Sequence, residues 1–244
     1  MIEFRPAPAS VPTGQRVYAV GDVHGCLDRL VAMHVAIAED LHARPTGNAV
    51  LIHLGDYVDR GPDTAGVVAL LAGGRVPTAI HSVVNLMGNH EEMLLSALPT
   101  RSREAAGLWL MNGGAASLKS WDIPGSDLEG PDGPGSWGAR IPEAHLAFLR
   151  GLGLMHRLGG YVFVHAGLCP GVPLARQSRH DLLWIREPFL SSPERFEAVV
   201  VHGHTPTAKP VMRANRIGID TGAVMGGVLT CAVLEANRLG FLSR

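Results

Sequence analysis

The chain has only three cysteines in 244 residues, Cys26, Cys169 and Cys231. They are odd in number and far apart, which excludes a disulfide framework and a Cys-x-x-Cys metal site and leaves them as free packing residues. No run of about 18 apolar residues occurs, so a membrane span is not expected. Residues 1–16 hold Glu3 and three prolines where a secretory signal needs an apolar segment, and a cytoplasmic protein is the expectation. An excess of either charge is also missing. Lys and Arg number 21 against 22 Asp and Glu, evenly spread, which argues against a nucleic-acid or acidic-membrane surface. Aromatics are few, and Trp109, Trp121, Trp137 and Trp184 are too scattered to stack bases. What the chain does have is 46% hydrophobic residues, enough at this length for a large core, and 12 histidines.

The length fits a single α/β domain over residues 1–244. Residues 17–20 read as a strand, 21–25 as a loop, and 27–41 as a helix with Leu27, Leu30, Val31, His34, Val35, Ala38 and Leu41 at helical spacing. The pattern recurs with strand 49–54, loop 55–61 and helix 64–71, then strand 83–87, loop 88–90 and helix 91–98. Three such units point to an α/β sheet. Residues 122–142 contain nine Gly and Pro in 21, too many for a regular element. That segment is either a plain surface excursion or a substrate-facing loop, with Trp137 the residue expected to touch substrate. Beyond a helix over 142–152, strands over 161–164, 198–201, 217–220 and 229–234 predict a strand-rich, largely antiparallel second half.

Five polar clusters each follow a strand-like run: Gly21-Asp22-Val23-His24-Gly25, Gly55-Asp56-Tyr57-Val58-Asp59-Arg60-Gly61, Gly88-Asn89-His90-Glu91, His165-Ala166-Gly167 and His202-Gly203-His204-Thr205. Ligands gather beyond the carboxyl ends of strands in α/β folds, so the five can share one crevice. Asp, His and Asn donors suit manganese, iron or zinc and need no thiolate. If Asp22, His24, Asp56, Asn89, His165 and His204 all face inward, six ligands are too many for one catalytic ion. A shared carboxylate divides them between two, the arrangement that clamps the attacking and leaving oxygens of an in-line phosphoryl displacement.

In this order the clusters resemble the phosphoprotein phosphatase family of metallophosphoesterases, specifically its bacterial serine/threonine protein phosphatase branch, over about residues 17–235. Asp181-Leu182-Leu183-Trp184-Ile185-Arg186-Glu187 and Gly218-Ile219-Asp220-Thr221-Gly222-Ala223 are similar to that branch too. The resemblance implies an α/β fold, the calcineurin-like metallophosphoesterase fold, with two mixed β-sheets sandwiched by helices and the metals at one sheet edge. It implies two divalent ions, with manganese expected and iron or zinc also fitting. Asp22 and His24 would hold the first, Asp56 would bridge, and Asn89, His165 and His204 would complete the second. His90 would protonate the leaving alkoxide while Asp59 orients its ring, and Arg60 and Arg186 would bind the substrate phosphate. The implied substrate is a phosphoprotein or phosphopeptide, and no oligomeric state is assigned.

Three other readings compete. Symmetrical dinucleoside polyphosphate (diadenosine tetraphosphate) hydrolases share the fold and much of the motif set, but that group departs from the Asp59-Arg60 pair and from the Glu91 that follows His90. A catalytically silent metal-binding module should have lost a ligand or the acid, and none is missing. Asp220-Thr221-Gly222 resembles an aspartic-protease triplet, but no partner triplet accompanies it. His202 reads as a structural neighbour of His204, and the remaining histidines as surface, cap or core residues.

Overall fold

The computed structural model describes residues 2–98, 103–124 and 136–244. In chain order its elements are β1 (Arg5–Pro6), β2 (Gln15–Val20), α1 (Leu27–Ala43), β3 (Asn48–His53), α2 (Thr64–Ala72), β4 (Ser82–Asn85), α3 (Asn89–Ala97), α4 (Arg103–Trp109) and, after a kink at Leu110–Gly114, α5 (Ala115–Ser120). A 3-10 turn at Ser136–Arg140 leads to α6 (Glu143–Arg150), β5 (Met155–Leu158), β6 (Tyr161–Val164) and α7 (Arg179–Trp184). Last come β7 (Val199–His202), β8 (Val211–Met212), β9 (Arg216–Gly218), β10 (Thr230–Glu235) and β11 (Arg238–Ser243).

The strands form two mixed sheets, ordered β1-β11-β10-β2-β3-β4 and β5-β6-β7-β9-β8. Period-2 alternation decides how they pack. In β2, Val17 and Ala19 enter an apolar layer between the sheets, shared with Val50 and Ile52 of β3 and Tyr161, Phe163, Val199, Val201 and Ile217 of the second sheet. Tyr18 and Val20 point the other way, onto Leu30, Met33 and Ile37 of α1 and Val67 and Val68 of α2. The far face of the second sheet packs Val162, Val164 and Val200 against Leu182 of α7 and Phe189. Strands buried on both faces therefore carry unbroken apolar runs. Each fully buried Val, Leu or Ile contributes about 1.5–3 kcal/mol relative to exposure.

Local signals set where helices begin. Asp63 accepts a hydrogen bond from Gly66 N at 2.7 Å and caps α2. Glu91, in the first turn of α3, reaches back to accept from Gly88 N at 2.8 Å, the carboxylate half of a capping box. Ser178 caps α7 through Asp181 N at 3.0 Å. Among the described residues, no helix is long and apolar enough to cross a membrane.

The second half is strand-rich and its pairings are largely antiparallel, as expected: β5 with β6, β8 with β9, β10 with β2 and β10 with β11 are antiparallel, while β6, β7 and β9 run parallel to one another. The structure corrects two expectations. Helices α4 and α5 were not expected, because two adjacent glycines, Gly113 and Gly114, interrupt their pattern. Trp137 is fully buried against Trp109, where ring packing removes its large apolar surface from water, so it does not line a substrate surface. Most of the 122–142 loop lies outside the described residues.

Candidate metal centre

Because β2, β3 and β4 run parallel in one sheet and β6, β7 and β9 in the other, their carboxyl-end loops share one rim of the molecule. Asp22 and His24 follow β2, Asp56, Asp59 and Arg60 follow β3, and Asn89 and His90 open α3 after β4. His165 follows β6 and His204 follows β7. All of these except Arg60 are buried. Hydrogen bonds join the two sheets here: His165 Nδ1 lies 2.9 Å from Leu54 O, and His204 N donates to Asp22 Oδ2 at 3.0 Å. Five residues of these loops adopt left-handed backbone, His24 (φ 44°), Asp56 (53°), Asp59 (71°), Arg60 (67°) and His204 (63°). Such strain costs about 1 kcal/mol or more per residue and gathers where turns must aim side chains at a shared point.

The ring orientations match metal-ligand chemistry. His24 Nδ1 sits 2.8 Å from Val58 O and His165 Nδ1 sits on Leu54 O, so each Nδ1–H donates to a backbone carbonyl and leaves an Nε2 lone pair facing the cluster. Asn89 Oδ1 lies 2.9 Å from both His165 Nε2 and His204 Nδ1. Two groups of potential ligand atoms form, each within 4.8 Å: His24, Asp56 and His90, and Asp56, His165 and His204. Asp56 belongs to both, the position a bridging carboxylate needs.

Electrostatics point the same way. Burial pushes the Asp22 carboxyl well above the ordinary range, and the charges of Asp220 and Asp56 push it further. Asp56 goes the other way: burial would raise it, but His165, His90 and His24 together hold it well below. Burial and the charge of His165 lower His204 to about 3, and burial lowers His165, which keeps both rings neutral, the form that ligates. For His24 burial acts downward, but its bond to Asp56 at 3.3 Å raises it overall. Three carboxyl groups, Asp22, Asp56 and Asp220, thus share a buried space in which they repel. Divalent cations fit such a donor set, since they supply the missing positive charge.

Beside this cluster, His90 Nδ1 lies 2.8 Å from Asp59 Oδ2, so Nδ1–H donates to the carboxylate and Nε2 is turned away from it. The Arg60 guanidinium donates to His24 Nε2 at 2.9 Å from an exposed position. Arg186, exposed just beyond α7, is near enough for its charge to lower the His204 imidazole. Every sequence-predicted site residue thus falls at this rim.

Four further residues matter here. The Glu91 carboxylate accepts from the backbone N–H of Asp56, Tyr57 and Val58 at 2.7–3.1 Å, fixing the loop that carries Asp56. Burial and the charge of Asp56 push Glu91 up to about 7, against the pull of those N–H donors. Trp109 and Ser117 bond Asp59, and Asp220 faces Asp22. The signal for the first pair was the run Trp109…Gly113-Gly114…Ser117, whose glycines hide the helical period. Asp220 stood in a motif similar to the bacterial branch, without a role. The remaining motif residues are structural: His202 is buried, with Nδ1 3.1 Å from Gly203 O and Nε2 3.3 Å from Arg216, and Thr221 bonds Thr230 at 2.6 Å.

Residues 15–230 match the family of calcineurin-like phosphoesterases. The chain belongs to that family. This phosphoesterase is 30% identical over 237 residues to serine/threonine-protein phosphatase 1 of Salmonella typhimurium, covering 91% of this chain and 93% of that protein. It is 28% identical over 184 residues to the symmetrical bis(5'-nucleosyl)-tetraphosphatase of Aromatoleum aromaticum, covering 75% of this chain and 51% of that one. A crystal structure described as a candidate diadenosine tetraphosphatase superposes with a TM-score of 0.66 at 24% identity, covering 96% of this chain and 98% of the other, which shows the shared fold. The resemblance read from the five motifs is borne out at the level of family and fold, and the phosphoesterase is a metal-dependent hydrolase.

Proposed function

We propose that this phosphoesterase is a cytoplasmic serine/threonine protein phosphatase that removes phosphate from phosphoprotein or phosphopeptide substrates with a dinuclear centre, manganese being the expected metal. The observation that carries the reading is the Asp59–His90 contact at 2.8 Å with Arg60 directly beside it at His24, because the Asp59-Arg60 pair separates the protein phosphatase motif from that of the dinucleotide hydrolases. Asp22, His24 and Asp56 would hold one ion, and Asp56, Asn89, His165 and His204 the other. When bound, the two ions supply Lewis-acid neutralisation of the phosphate oxygens and acidify the attacking water.

The chain's own groups do the rest. Arg60 and Arg186 would bind phosphate oxygens, where a planar fork that stays charged suits a dianion. Asp59 fixes the His90 ring by taking its Nδ1–H, so that Nε2 can give a proton to the leaving oxygen. An alkoxide leaves poorly, and this protonation is worth about 10²–10⁴-fold. The burial of His90 and Asp59 excludes bulk water from that transfer.

A second reading, a symmetrical dinucleoside tetraphosphate hydrolase, is supported by the relative of that name and by the shared fold. Side-by-side rates with added Mn²⁺ on a phosphoserine or phosphothreonine peptide and on diadenosine tetraphosphate decide between them. Preference for the peptide is expected, and clear preference for the dinucleotide overturns the assignment. His90→Asn should lose most peptide turnover while retaining metal, and full activity in that variant removes its acid role.

A further inference from the structure

The carboxylate of Asp59 takes three donors, only one of which belongs to the histidine it orients. His90 Nδ1 lies 2.8 Å from Oδ2, the Trp109 indole Nε1 is 3.0 Å from both oxygens, and Ser117 Oγ donates to Oδ1 at 2.7 Å. The Asp59 backbone N–H also donates to Ser117 Oγ at 2.9 Å and to Thr64 Oγ1 at 3.2 Å. Asp59, Trp109, Ser117 and Thr64 are all fully buried.

Trp109 and Ser117 reach this point through the break between α4 and α5. The kink at Leu110–Gly114 contains Gly113 at φ 108°, and Gly113 O accepts from Arg60 N at 3.1 Å. A Cβ on Gly114 would lie 2.5 Å from indole ring carbons of Trp109, so the ring can lie across the helix only because that residue is glycine. Trp137 stacks on the indole, with ring centroids 4.8 Å apart and planes 15° from parallel. Backbone, indole and hydroxyl thus converge on two consecutive residues, Asp59 and Arg60, both in left-handed backbone. The non-helical backbone at Gly113 breaks the helix, so that α4 and α5 aim Trp109 and Ser117 where one continuous helix would not.

We infer that Trp109 and Ser117 are positioning residues for proton donation: they lock the Asp59 carboxylate about its Cβ–Cγ bond, and through it the ring of His90. With either donor removed, the carboxylate can turn, and the Nδ1–H···Oδ2 bond no longer holds Nε2 on the line to the leaving oxygen. In the step concerned, a water oxygen bonds to phosphorus and gives up a proton to solvent while the P–O bond to the leaving oxygen breaks, its electron pair going to that oxygen. That oxygen takes the proton from His90 Nε2, the N–H electron pair stays on nitrogen, and His90 recovers a proton from solvent. Misplacement by about 1 Å can cost about 10²-fold in such steps. The cost depends on the substrate, because a leaving group stable as an anion scarcely needs the proton.

The inference rests on His90 as the general acid, and the test separates the two ideas. The full-length chain with Mn²⁺, as wild type, Trp109→Phe, Ser117→Ala and His90→Asn, is assayed on p-nitrophenyl phosphate, phenyl phosphate and intermediate substituted phenyl phosphates. Metal content and thermal unfolding are measured alongside. Trp109→Phe and Ser117→Ala should lose about tenfold or more additional kcat on phenyl phosphate relative to p-nitrophenyl phosphate, with KM and bound metal maintained. His90→Asn should show a steeper trend of the same kind. A uniform loss across the series, or no loss, in both positioning variants overturns the inference while leaving His90 as acid if its own variant keeps the trend. A flat series for His90→Asn, or a wild-type chain inert on every phenyl phosphate, overturns both. If Trp109→Phe fails to fold, Ser117→Ala, which removes a single oxygen, carries the test alone.

Discussion

Strand β2 has a buried polar cluster at each end, and the two are closed in opposite ways. At its start, Arg16 pairs with Glu235 at 2.8 Å and with Asp40 at 3.4 Å, Tyr18 donates to Asp40 at 2.5 Å, and Arg44 bridges Asp40 at 2.7 Å and Glu235 at 3.0 Å. Arg238 joins Glu235 at 3.1 Å, so three guanidiniums meet two carboxylates, and the cluster needs no cation from outside the chain. Beyond its other end, Asp22, Asp56 and Asp220 gather with Asp59 and Glu91, while among the described residues the only permanent cation in direct contact is Arg60 at His24. The first cluster completes itself with side chains of the chain. The second is complete only with imported positive charge, and that difference separates a structural polar network from a reactive one.

Removing the imported charge should have the largest effect. Chelation should abolish phosphoester turnover and lower the unfolding temperature, because the ligand term is worth about 2.7 kcal/mol at a hundredfold excess over the dissociation constant. Asp56→Asn, which strips both candidate ion positions of their shared ligand, should reproduce the loss of activity and of metal, read by elemental analysis and calorimetry. Turnover persisting in metal-free protein would erase the contrast between the two ends.

Breaking the self-sufficient end should act on stability alone. Arg16→Met removes one of the partners of Asp40 and Glu235 in a site where Arg16 is only 2% exposed while Arg44 still bridges both carboxylates, and should destabilise by about 1–3 kcal/mol in denaturant titration. Turnover per folded molecule and bound metal should match wild type. A loss of metal in this variant would mean that the two clusters are coupled through β2.

The smallest effect tests a third buried group that uses neither device. His34 and His53 meet at 3.1 Å through their Nε2 atoms. Burial lowers His34 to about 4, and burial together with the charge of His34 lowers His53 to about 3. Both rings are neutral when folded, whereas the unfolded chain takes up protons near pH 6.5. The unfolded state therefore binds more protons below that pH. Stability from this pair is fully present above about 6.5 and declines as pH falls toward 4, by at most about 1.4 kcal/mol per pH unit for each ring. His34→Leu should flatten this decline between pH 6.5 and 4 in the metal-free protein, measured as unfolding free energy against pH.

Legibility in the sequence followed distance along the chain. Asp22 with His24, Asp56 with Asp59 and Arg60, and Asn89 with His90 lie in short polar loops after apolar runs, where the chemistry is local and readable. The Trp109 and Ser117 contacts to Asp59 span 50 and 58 residues and cross a helix break that two glycines disguise, so no period announced them. The expectation that Trp137 meets substrate failed for a related reason. Trp137 lies between Ser136 and Gly138 in a segment rich in glycine and proline, but its neighbour in space is the Trp109 ring.

By itself the sequence determined the strands that can be buried on both faces, the polar loops that follow them and the donor types those loops carry, because periodicity, turn chemistry and ligand preference are properties of short segments. Only the tertiary structure decided which carboxylate belongs to both ligand groups, which ring nitrogen each histidine turns inward and what holds Asp59. Those depend on parallel strands from two sheets bringing their ends to one rim, where residues as far apart as Asp22 and His204 are in hydrogen-bond contact.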